Sequence, residues 1–123
     1  MSRTLIVAAY AAVFSLSTVS FAQEMDHSKM TMAAPKGDSG PSSTAFAEAN
    51  AAMHKGMDIA FSGNADVDFA KGMIAHHQGA IDMAKVELQY GKNEEMRKVA
   101  EEVITAQEAE IAMMKDWLGK NEK

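Results

Sequence analysis

Two short stretches of this 123-residue chain concentrate side chains that bind soft metal ions. The first, Glu24-Met25-Asp26-His27-Ser28-Lys29-Met30-Thr31-Met32, sets the thioethers of Met25, Met30 and Met32 around the imidazole of His27. The second runs from Met73 through the adjacent His76 and His77 to Met83. Thioether and imidazole donors together suit Cu(I), and Ag(I), which is equally soft, whereas Mg and Ca take oxygen ligands. Methionine also serves as a pliable core filler. Around residues 25–32 the sequence offers no core to fill, so ligation is the better reading there.

Composition points the same way. The chain has no cysteine and 11 methionines, 10 of them beyond residue 22. Residues 5–21 form an apolar and small-residue run after Arg3, as in a secretory signal peptide, and Ser20 and Ala22 fit a cleavage site after Ala22. The run is slightly short for a membrane anchor and is broken by Ser15, Ser17, Thr18 and Ser20. The expected location is therefore periplasmic or secreted, without membrane insertion after processing. In an oxidising compartment methionine offers sulfur that cannot be lost to disulfides. Removing Arg3 with the signal peptide leaves 11 basic residues against 17 acidic ones, a net charge of −6. That balance argues against nucleic acid and anionic membrane as partners.

The elements that must position these groups read as helices. Residues 23–41 are polar, rich in Ser, Gly and Pro, and without helical period, so they are expected to form a disordered Met/His-containing tail. A helical domain is expected over 42–119. Its first helix should start at Ser42 or Ser43 and end near Phe61, before the turn Ser62-Gly63-Asn64. The second should be capped by Asp66 and closed by Gly91, with Phe69, Met73, His76, His77, Ala80, Met83, Ala84 and Glu87 as its buried stripe. The third should follow Asn93 and reach Leu118, burying Met96, Val99, Ala100, Val103, Gln107, Ile111, Met114, Trp117 and Leu118 with Glu110 among them. The fold class is all-α, a three-helix up-down-up bundle. Three helices leave part of the apolar face open, and a homodimer could complete it.

Antiparallel helices pair positions that mirror one another about the turn. Folding the first hairpin about residues 64 and 65 brings Met57 near Met73, and Met53 and His54 near His76. Folding the second about residues 91 and 92 brings Glu110 level with Met73 and Gln107 level with His76. Glu110 could then orient an imidazole by accepting its N–H, as carboxylates behind metal-binding histidines do, or simply satisfy a buried histidine that binds nothing.

The blocks Met53-His54-Lys55-Gly56-Met57, Phe69 to Ala80 with Met73 and the paired histidines, and Ala106 to Ile111 followed by Met114 and Trp117 resemble the domain-of-unknown-function 305 family, and within it the CopM-type periplasmic copper-binding proteins. The resemblance covers roughly residues 42–119. It implies a ferritin-like helical bundle, a part in copper tolerance, and Met73, His76, His77, Met83 and Glu110 as site residues. Ala75 departs from the proline expected before the paired histidines.

These readings converge on a non-enzymatic metallochaperone or sequestering buffer for Cu(I), with a copper exporter or acceptor protein as its partner. Two rivals stand beside it: a structural or interaction bundle of the cell envelope whose methionines pack or dock, and a metal-dependent oxidoreductase. No zincin motif, phosphate-binding glycine loop or serine triad is present.

Overall fold

A computed structural model describes residues 34–122. It contains three helices, α1 (Pro41–Met57), α2 (Ala65–Tyr90) and α3 (Glu94–Asn121), and no strand among the described residues. The expected all-α, up-down-up fold is therefore the observed one. The expected signal peptide and most of the expected tail lie outside the described residues.

Each helix begins where local hydrogen bonding replaces missing partners. Proline needs no donor at the first position of α1, so the helix starts at Pro41, just before the expected serines. The Asp38 carboxylate accepts from the Ser43 hydroxyl and the Gly40 N–H, both at 2.8 Å. Those two bonds hold Asp38 below the usual carboxylate range, the hydroxyl contributing most. At its other end α1 stops at Met57, four residues before the expected Phe61. Residues 58–64 instead form a loop with Gly63 at φ 85°, a conformation glycine adopts without strain.

Asp68 pins that loop. Its carboxylate accepts from the Ser62 N–H and hydroxyl and from the Gly63 N–H, and the Ser62 backbone bond lowers its pKa most. A carboxylate whose pKa is depressed by folding stabilises the fold above its ordinary value of 3.8. The anchor is lost as the pH falls through the lower, folded value. The cap of α2 is Asn64 rather than Asp66. Its side chain accepts from the N–H groups of Asp66 and Val67, which leaves Asp66 and Asp68 to complement the helix dipole.

At the α2–α3 connection one cation supplements the Gly91 cap, whose N–H donates to the Glu87 carbonyl. The last turn of α2 carries no basic residue, and Gly91 and Asn93 are extended. Arg97 of α3 reaches back, its Nη1 donating to the carbonyls of Leu88 at 2.7 Å and Gly91 at 3.1 Å. These carbonyls belong to the helix end that has no intrahelical partners. Arg97→Ala should cost about 1–2 kcal/mol, lowering the melting temperature by roughly 5 °C or more. Lys120→Ala, which removes only an exposed i,i+4 pair with Asp116, should leave it nearly unchanged. Thermal unfolding followed by circular dichroism separates the two. As expected, α3 is capped by Asn93, whose side chain accepts from the Met96 N–H, but it runs three residues past Leu118.

α2 is the centre of the fold. Both α1 and α3 pack on it, and no Cα of α1 comes within 8 Å of one in α3. Gly79 and Ala75 of α2 receive Met53 and Gly56 of α1. His77, 200° around the helix from Gly79 at 100° per residue, faces α3. The single buried stripe expected for α2 is therefore wrong, because a central helix buries two. Its buried residues are Val67, Ala70, His77, Gly79, Ile81, Ala84 and Val86, while Phe69 is 65 % exposed and Met83 also lies at the surface. On α3, Ala100, Ile111 and Met114 are buried as expected, but Met96 and Val99 are exposed.

Candidate metal-binding cleft

The donors that the fold brings together lie between α2 and α3. A cleft of about 680 Å³ is lined by Asp66, Phe69, Ala70, Met73 and His77 from α2 and by Glu110, Met113, Met114 and Trp117 from α3. Helical spacing explains the assembly. Met73 and His77 are four residues apart on one helix, and Glu110, Met113, Met114 and Trp117 repeat at three- and four-residue intervals on the other.

His77 is the polar centre of the cleft and is only 8 % exposed. Its Nε2 lies 2.5 Å from Oε2 of Glu110, whose side chain remains 52 % exposed. The other ring nitrogen, Nδ1, is buried without any hydrogen-bond partner. With the ring proton on Nε2 and donated to Glu110, Nδ1 carries a free lone pair. An orphaned buried polar atom calls for an explanation. A ligating histidine held by a carboxylate through its second nitrogen is one such explanation. Of the methionines that line the same cleft, Met73 is half-buried, Met113 is exposed and Met114 is buried.

The other expected site residues fall elsewhere. His76 is exposed. Its ring meets the His77 ring edge-on, with centroids 6.0 Å apart. Successive side chains on a helix diverge by 100°, so only one of the pair can face α3, and the expectation that both flank the seam is corrected. Met53 packs on Gly79 rather than near His76, about one turn from its expected level. His54 and Met57 are exposed on α1, and Met83 is exposed on α2. None of these four lines the cleft. Met25, His27, Met30 and Met32 lie outside the described residues. Glu110 pairs with His77 instead of standing level with Met73. The connection, with Gly91 and Asn93 extended, starts α3 further along the axis than a tight reversal would, and shifts the register by four residues, just over one turn.

Met113, Phe69 and Trp117 as cleft walls escaped the sequence reading. A signal was present for Met113, which stands three residues after Glu110 and four before Trp117, and so shares their face. Among the described residues no three His, Asp or Glu side chains converge. What lines the cleft is sulfur, one imidazole and the two carboxylates of Asp66 and Glu110.

The described part of the chain is thus a small three-helix protein with a methionine-lined cleft beside a carboxylate-held histidine. The chain belongs to the family described as a domain of unknown function (DUF305), whose profile matches residues 15–118. No curated protein matches the chain significantly. No helix among the described residues is long and apolar enough to cross a membrane.

Proposed function

We propose that this protein is an exported, CopM-type binder of Cu(I), and of the similar Ag(I), that carries or sequesters the ion without catalysing a reaction. The observation that carries this reading is the buried, unpartnered Nδ1 of His77, a residue that lines one cleft with Met73, Met113 and Met114. Soft thioethers with one imidazole favour a monovalent soft ion over Mg or Ca. Glu110 would hold the His77 ring from Nε2, leaving Nδ1 as the donor. The ion is cargo, delivered to or received from an exporter or acceptor protein in the periplasm. The thioethers of Met25, Met30 and Met32 and the imidazole of His27 would supply a second, capturing set of donors.

Titration of the chain with Cu(I) against a competing chelator, under reductant, tests the reading. Tight Cu(I) and Ag(I) binding with no measurable Mg or Ca binding is the expected outcome. A chain that fails to draw Cu(I) from even a weak chelator is not a copper carrier.

A further inference from the structure

The methionines that line the α2–α3 cleft differ in how far water reaches them. Met114 is 7 % exposed, whereas Met113, one 100° step away round α3, is 60 % exposed. Met73 is half-buried. Among the described residues Met113 is the most exposed methionine, and the other exposed ones, Met57, Met83 and Met96, lie outside the cleft. One side chain is thus both a wall of the cleft and freely accessible to small solutes. The chain has no cysteine, so all of its oxidisable sulfur is thioether.

We propose, on the basis of the copper reading, that Met113 is a reversible oxidation site at which hydrogen peroxide shuts the empty cleft to Cu(I). In the reaction the O–O bond of the peroxide breaks and an S–O bond forms. The sulfur gives up two electrons, and the second oxygen leaves as water with both hydrogens. The sulfoxide replaces a soft sulfur donor with a polar, harder oxygen, and leaves Met73 and Met114 as the thioethers of the cleft. Position makes this a switch rather than damage. At Met113 the new polar group stays in water, so the packing of α3 on α2 survives. At the buried Met114 it would bring an unpaired polar group into that contact. The same exposure lets methionine sulfoxide reductases reach Met113 and reverse the change. A bound ion engages the lone pair with which sulfur attacks peroxide, so a loaded cleft resists oxidation and an empty one is closed by it.

In the full chain with Met25, Met30 and Met32 replaced by leucine, dilute hydrogen peroxide should oxidise Met113 several-fold faster than Met73 or Met114, as read by mass spectrometry. Stoichiometric Ag(I) should slow that reaction. Once the peroxide is removed, Ag(I) affinity should be lower by about 10-fold or more, at least what loss of a group behind a metal ligand costs, with helical circular dichroism unchanged. Treatment with the two epimer-specific sulfoxide reductases should restore it. Met96→Leu, which removes a comparably exposed thioether outside the cleft, should leave the peroxide response intact. Met113→Leu should abolish that response, its affinity being lower from the start and falling no further. Unchanged Ag(I) affinity with Met113 fully oxidised, an affinity that falls only together with helicity, or a response that persists in Met113→Leu would each overturn the proposal and leave the copper reading standing. An untreated chain that binds no Ag(I) would overturn both.

Discussion

Replacing His77 with alanine should weaken Cu(I) binding in the α2–α3 cleft by about 100-fold or more, whereas His76→Ala should change it by less than about 3-fold. Loss of a group behind a metal ligand alone typically costs about 10- to 100-fold, and His77 is placed as the ligand itself. His76, one residue away, points out of the cleft. The measurement is competitive Cu(I) titration in a background where Met25, Met30 and Met32 are leucine, so that those thioethers do not report. Were His77 only a structural partner of Glu110, its removal would lower stability and leave affinity intact. The structure also limits that structural cost. Glu110 is half exposed, so water can replace the imidazole, and the penalty of a stranded buried carboxylate does not arise. Equal affinities for wild type and His77→Ala would remove His77 from the site.

Two glycines of α2 should respond in opposite directions to the same change. A methyl group at Gly79 would lie 2.6 Å from both Cβ and Cγ of Met53. The near end of that side chain cannot swing aside, so Gly79→Ala must push α1 away. At Gly72 a methyl group meets nothing within 4 Å. Alanine gains up to about 1 kcal/mol over glycine inside a helix, and Gly72→Ala should realise most of it. Gly79→Ala should instead lose about 1–3 kcal/mol net, the range for overpacked contacts. Urea unfolding of the two variants beside wild type tests this. Shifts of the same sign would mean that α1 does not ride on the Ala75–Gly79 surface.

The contrast between these glycines also marks what the sequence leaves unread. The three helices, the Asn93 cap and Gly91 at the end of α2 were legible, because caps and breakers act locally and 3.6-residue periodicity survives without tertiary information. The second buried stripe of α2 was not. It is built from Ala75 and Gly79, whose value is the room they leave for Met53 and Gly56, and small residues carry no hydrophobic signal of their own. Partnership between Glu110 and a histidine of α2 could be anticipated from mirror pairing about the turn. Which histidine, and at which level, depended on a three-residue connection, extended at Gly91 and Asn93, that moved α3 by just over one turn. The separation of His76 from His77 follows from helix geometry once the direction of α3 is known, and only packing supplies that direction.

The most direct test of the copper site is residue-resolved NMR of the methionine methyl groups, labelled with ¹³C at Cε, during titration of the full chain with Ag(I). The ion is diamagnetic and soft, and perturbs the methyl group of any thioether it binds. The copper-site reading predicts saturable shifts of Met73, Met113 and Met114 that vanish in His77→Ala, with Met96, remote from the cleft on α3, unmoved. Binding that shifts only methionines outside the cleft, with Met73, Met113 and Met114 unchanged at saturation, would contradict it.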